Sequence, residues 1–316
     1  MNDSSNFILA LKNGDINAIR QIRKSDLHNH FVLGGNREYI KQRTGFDIFP
    51  IKQPLHSMDE MHVWANENIG NRFDSRKMRQ LLIESTFIQA KQDGVSILEI
   101  GEDVWGLGAY FNNDIDELIT TFQKANASIA PDIELRLQIG LSRHCCIDYL
   151  LACLKPFWGR KEFYSIDLYG NEFARPIETF IPIYQKAKEN GLKLKAHIGE
   201  WGTAEDVVKG IKLLSLDEVQ HGIAAATSDK AINYLLEHKI RLNITPSSNV
   251  LLGRVANIKE HPIAKLYRAG VDITINSDDI LIFDSDVSNE YLLLYNNNVL
   301  NAEELDGIRI NGLRRL

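Results

Sequence analysis

The stretch Gly191-Leu-Lys-Leu-Lys-Ala-His-Ile-Gly-Glu200 lies between two segments of helical periodicity, Pro176 to Asn190 and Ala204 to Leu214. Gly191 ends the first helix, a short strand (192–198) follows, and the second helix leads to another strand at 217–220. A strand joined to the next through a helix implies parallel pairing, because only such a crossover brings the chain back to the same end of a sheet. Working outward, the same alternation gives candidate strands at 25–29, 95–101, 133–140, 163–168, 240–245 and 271–276. Further amphipathic helices fall at Met78 to Gln92, Ile115 to Ala130 and Lys230 to His238. The strands Ile240-Arg-Leu-Asn-Ile-Thr245 and Val271-Asp-Ile-Thr-Ile275 are rich in β-branched residues and bounded by Gly or Pro. Eight strands with helical crossovers predict an α/β fold, a (β/α)8 TIM-type barrel, in a single domain over residues 1–316. An open doubly wound sheet alternates in the same way and stands as the alternative. A helical N-terminal extension precedes the first strand, and a long insertion (roughly 31–75) after it is a candidate lid.

Of the 316 residues, 44% are hydrophobic and 25% charged, an ordinary globular composition. The net charge is −6 and the basic residues are scattered, which argues against nucleic acid or an anionic membrane as partner. No run of eighteen apolar residues exists, so no membrane span is expected. Met1 to Arg20 lacks the apolar region of a signal peptide, and the expected location is cytoplasmic. Cys145, Cys146 and Cys153 have neither disulfide-framework nor zinc-finger spacing, and Cys145 and Cys146 are expected to be packing residues.

Polar residues that a surface role does not explain sit directly after strands. They are His28-Asn-His30, His197-Ile-Gly-Glu200, His221-Gly222 and Asp278-Asp279. In a barrel all these strand ends meet at one mouth. His28 and His30, one residue apart on an extended strand, project to one face and form half of a zinc site. Each element also has a plainer reading. The histidine pair alone suits a polar turn, His197 a core position, and Asp278-Asp279 a helix cap. Their placement at equivalent strand ends favours a metal site. His56, His62, His144, His238 and His261 lack such placement and are read as ordinary packing or surface residues. Met58, Met61 and Trp64 form a helix face expected to pack the lid or wall a pocket.

Asp26-Leu-His-Asn-His30, Lys195-Ala-His-Ile-Gly-Glu200, Val219-Gln-His-Gly222, Thr245-Pro-Ser-Ser-Asn249 and Thr274-Ile-Asn-Ser-Asp-Asp279 together resemble the ordered signatures of the adenosine deaminase family, within the amidohydrolase superfamily. The likeness extends to Ile166-Asp-Leu-Tyr-Gly170 and to Ile310-Asn311, spanning residues 26 to 316. It implies one zinc per chain, held by His28, His30, His197 and Asp278, which agrees with a catalytic zinc's need for a few fixed ligands and an open position. It implies Glu200 as proton donor to purine N1 and His221 as the group that orients the attacking water. Asp279 would face N7 and Gly170 would give backbone access near N3. The plainer readings are a helix-start residue for Glu200 and a supporting role for His221.

Departures from the family pattern fall on substrate recognition. Members carry a Leu-Asp-Gly turn after the histidine pair, whose acid holds the ribose 5′-hydroxyl; here the segment reads Phe31-Val-Leu-Gly-Gly35. The family's Glu-x-Arg after the second strand is Glu99-Ile-Gly101, and the chain stops soon after Asn311, leaving little room for the family's terminal helices. The expected substrate is a small-molecule 6-aminopurine, most simply adenosine. Adenine, a modified adenosine or another amidohydrolase substrate is the second reading, and a catalytically silent binding barrel the third.

Overall fold

A computed structural model describes residues 3–314. Its eight strands are β1 (Lys24–Asp26), β2 (Val95–Ile100), β3 (Glu134–Ser142), β4 (Phe163–Tyr169), β5 (Lys193–Ile198), β6 (Glu218–His221), β7 (Arg241–Ile244) and β8 (Asp272–Ile275). They pair in parallel and in sequence order from β1 to β8. A doubly wound sheet would reverse its order part-way, so the open alternative is excluded. The barrel is nearly closed. Between β8 and β1 the seam is joined near the mouth by the Asn29–Asp278 bridge, by Asp278 N donating to His28 O (2.9 Å) and by Leu27 N donating to Asn276 Oδ1 (2.8 Å).

Alternate residues along each strand take opposite sides. Ile166, Leu168, Leu194, Ala196, Ile198, Val219, Leu242 and Ile244 belong to the apolar core between strands and helices. A side chain on Gly210, in the helix Ala204–Leu214, would collide with Ile198, which shows how closely that helix lies on β5. Each fully buried Leu or Ile of this layer contributes roughly 1.5–3 kcal/mol. The other set, among them Asp167, Lys195, His197, Glu218, Gln220 and Asn243, is buried and polar. These residues face one another across the barrel, and the site grows out of them.

The predicted strand over 25–29 ends at Asp26. The Asp26 carboxylate accepts bonds from Asn29 Nδ2 (3.1 Å), Ser277 N (3.2 Å) and Ser277 Oγ (2.5 Å), turning the chain out of the ladder. The helix expected over 176–190 divides into a 3-10 turn, Ile177–Phe180, and a helix, Ile181–Glu189, whose first turn holds Pro182. The N-terminal extension is helical as expected (Asp3–Asn13 and Ile16–Arg20), and the insertion holds helices Arg37–Thr44 and Met58–Asn68. Val287–Asn296 and Ala302–Leu313 both follow β8. The last of them fits because Gly312 packs where a Cβ would strike Ser25, while Asn311 O accepts from Arg241 (3.0 Å). Among the described residues no helix is long and apolar enough to cross a membrane.

Candidate active site

Four imidazoles converge at the mouth. His28 and His30 lie just beyond β1 rather than on it, His197 lies within β5, and His221 ends β6. Ring centroids of His28 stand 4.7 Å from His197 and 4.6 Å from His221, and those of His30 and His197 are 5.2 Å apart. Asp278, three residues past β8, places Oδ1 3.7 Å from His28 Nε2 and 3.6 Å from His30 Nε2. Ligand atoms of His28, His30 and Asp278 form one potential metal-holding group, and those of His28, His197 and His221 a second.

The donor chemistry suits a cation. His28 Nδ1 lies 3.1 Å from the Asn243 carbonyl, which can only accept, so Nδ1 holds the proton and Nε2 a lone pair. That Nε2 is buried and has no hydrogen-bond partner, and burial pushes the His28 pKa down to about 3. A neutral imidazole lone pair and a carboxylate oxygen thus face each other without a proton between them. Backbone strain collects here too. His221 and Asp278 have φ of +63° and +62°, a left-handed conformation that costs a non-glycine residue about 1–3 kcal/mol.

Glu200 stands on the loop after β5, and that loop is tied down by a residue without an assigned role in the sequence reading. The Glu172 carboxylate accepts from the backbone N–H of Gly199 (2.8 Å), Glu200 (2.9 Å), Trp201 (2.7 Å) and Gly202 (3.4 Å). Glu200 Oε1 is buried without a hydrogen-bond partner, 3.5 Å from His221 Nε2. Burial, with Asp278 adding, pushes its carboxyl well above the usual carboxylate range. Asp279 Oδ1 is likewise buried without a partner, and burial followed by the Asp278 charge raises its carboxyl to about 7. Gly170 has φ of +93°, and a Cβ there would lie 3.2 Å from the His144 ring.

His30, His197, His221, Asp278, Glu200, Asp279 and Gly170 open on one cavity of about 470 Å³, walled by Val32, Leu33, Met58, Met61, Leu252 and Phe283. The insertion does wall the pocket, through Met58 and Met61, while Trp64 is buried and donates to Phe49 O (3.2 Å). The reading of His62 and His144 as ordinary residues is corrected: both line the cavity, with ring centroids 5.8 Å apart. His144 stands two residues past β3, so its strand-end position was a usable signal, whereas His62 comes from the insertion and gave none. Cys145 is half-buried, but Cys146 is exposed at the start of the helix Ile147–Leu154, which corrects its reading as a packing residue. Asp167, inside the quoted Ile166–Gly170 motif but given no role, lies 3.1 Å from His197 Nε2.

A family model described as adenosine deaminase matches residues 84–315. The chain belongs to the adenosine deaminase family. A protein of Treponema pallidum described as a putative adenosine/adenine deaminase is 32% identical over 260 residues, covering 82% of this chain and 87% of its own. Two solved structures share the fold. An adenine deaminase from Arthrobacter aurescens has a TM-score of 0.79 at 20% identity, covering 92% of each chain. A zinc-bound amidohydrolase from Burkholderia ambifaria has a TM-score of 0.78 at 19% identity, covering 93% of this chain and 85% of its own. As an adenosine deaminase family member the chain is a hydrolytic deaminase on a metal-dependent amidohydrolase fold, and the His/Asp cluster at the mouth is its candidate metal site.

Proposed function

We propose that this deaminase replaces the 6-amino group of an adenine-type base by oxygen, with adenosine as substrate and inosine and ammonia as products. The observation that carries the reading is the pair of buried carboxyl groups, Glu200 and Asp279. Each has an oxygen without a partner, and both line the cavity that the histidine cluster opens on. A purine ring needs a proton placed on one nitrogen and a partner for another, and two carboxyls with raised pKa supply both.

His28, His30, His197 and Asp278 would hold one zinc, which supplies Lewis acidity and draws the pKa of water towards 7. Glu200, protonated, gives its proton to N1 as water adds at C6, which draws the ring electrons away from the reacting carbon. His221, beside Glu200, orients the water and stabilises charge developing on its oxygen. Asp279 shares a proton with N7 and holds the base in plane, while the backbone at Gly170 admits the N3 edge. The C6–O bond forms, one proton shed by the water restores Glu200, and the C6–N bond breaks as the amino nitrogen takes the other and leaves as ammonia.

Two features favour a nucleoside. The cavity of about 470 Å³ leaves room beyond a base, and Asp103, from the loop after β2, lines it with a carboxylate where none follows His30. Arg79 is the one Lys or Arg on the cavity wall among the described residues, but it lies 3.7 Å from Glu102 and over the Tyr110 ring at 4.2 Å, so a phosphate would have to compete for it. The test is ammonia release from adenosine, deoxyadenosine, adenine and AMP by zinc-loaded protein, with and without chelator. Adenosine should turn over fastest and chelator should stop it. If no 6-aminopurine releases ammonia the reading fails, and preference for AMP or adenine would overturn the nucleoside assignment.

A further inference from the structure

On the side of His221 opposite Glu200, buried side chains form a hydrogen-bonded series whose directions are fixed from its far end. His261 is buried, and its Nδ1 receives the backbone N–H of Ile263 at 3.2 Å. A backbone amide only donates, so this nitrogen holds the lone pair and Nε2 the proton. Burial pushes His261 down to about 3, which keeps the ring neutral. Its Nε2–H meets Asn249 Oδ1 at 3.2 Å, and Asn249, fully buried, thereby turns Nδ2 towards His221 Nδ1, also 3.2 Å away.

An amide nitrogen, like a backbone one, only donates. His221 Nδ1 must therefore accept, and the ring's proton lies on Nε2, facing Glu200 Oε1 at 3.5 Å. Thr245 Oγ1, 3.0 Å from the same Nδ1, does not decide the matter, since a hydroxyl both donates and accepts. With the lone pair of Nδ1 taken by Asn249, the Thr245 hydroxyl has Asp278 Oδ2 at 3.4 Å as its acceptor.

We propose that His261 and Asn249 are positioning residues that lock His221 in its neutral Nε2–H tautomer. The consequence for catalysis rests on the role given to His221 above: a donor at Nε2 stabilises an oxygen gaining negative charge, whereas the other tautomer would present a lone pair there. The tautomer itself is independent of what substrate is turned over.

The test is histidine ¹⁵N NMR of the zinc-loaded full chain, with His221 assigned by loss of its signals in His221→Gln. The expected spectrum shows His221 protonated at Nε2 and bare at Nδ1. A proton on Nδ1 overturns the proposal without reference to any activity. Asn249→Asp offers an acceptor to both imidazoles and should invert the His221 tautomer, with kcat falling at least about 10-fold and KM moving less. His261→Phe should lose the lock, while His261→Gln, which still presents a donor to Asn249, should restore it. A folded His261→Phe protein with an unchanged His221 signature would also overturn the assignment.

Discussion

The barrel interior holds two buried polar clusters only a few residues apart along the strands, and they are completed in opposite ways. At the base Lys195 Nζ lies 2.9 Å from Glu99 Oε1, 3.0 Å from Glu218 Oε2 and 3.4 Å from Leu27 O. Asn243 donates to Glu218 (2.7 Å) and Ser165 to Glu99, while Glu99 Oε2 is buried without a hydrogen-bond partner. At the mouth His28 Nε2, Glu200 Oε1 and Asp279 Oδ1 are all without one. Both clusters suffer the same desolvation. The base answers it with an internal cation, whereas the mouth leaves directed atoms for something outside the chain to complete. Lys195 and His197, two residues apart on one face of β5, belong one to each.

The largest expected effect separates the two by function. Glu200→Gln should retain bound zinc and an unchanged melting temperature, yet lose roughly 10²–10⁴ in kcat, since the amide cannot deliver the proton. Ordinary turnover in that variant would remove the proton-donor role and with it the contrast. Lys195→Met acts at the base and should do the reverse. Two carboxylates lose their cation, costing about 3–5 kcal/mol in chemical denaturation, while kcat per folded molecule changes little. Equal losses of activity and stability would mean that the clusters are one unit.

The mouth was far more legible than the base. Its residues come at strand ends or just past them, where a polar side chain breaks the pattern, so His28, His30, His197, His221 and Asp278 stand out in the sequence. Lys195, Glu99 and Glu218 lie inside strands, where an isolated charge reads as surface; that they meet depends on register, Lys195 beside Glu218 across β5 and β6. Glu172, Asn249 and His261 act through bonds to loops distant in sequence, and a motif gives residue types without partners. The eight-strand order is readable from alternation, but β1 is shorter than its sequence pattern because Asp26 turns the chain through Asn29 and Ser277.

A pH experiment sharpens the comparison at the edge of the mouth. Glu290, fully buried, accepts from Ser247 N (3.0 Å), and burial raises its carboxyl from 4.5 to about 7. The folded chain thus keeps a proton that the unfolded chain gives up above 4.5. Its stabilising effect is complete below that value and is lost as pH rises to about 7, by at most about 3 kcal/mol. Glu290→Gln should flatten this part of the stability–pH curve, read by urea denaturation at successive pH values. An undiminished slope would place the linkage on another group.

The smallest effect asks whether the mouth gives up stability for its chemistry. Asp279 carries its proton up to about pH 7, so above neutrality the metal-free fold holds an ionised carboxylate with one oxygen unbonded. Asn at this position removes the charge at constant shape. Its new amide hydrogens also need partners, which offsets part of the gain and leaves a net stabilisation of about 1 kcal/mol at pH 8. The same variant should raise KM for the purine, because an amide cannot trade a proton with N7. An isosteric Glu99→Gln change at the base should instead destabilise, since there the carboxylate is what holds Lys195. Opposite signs for two carboxylates, both fully buried in one barrel, would show that the partner and not the burial decides what each is for. Matching signs would dissolve the distinction between the clusters.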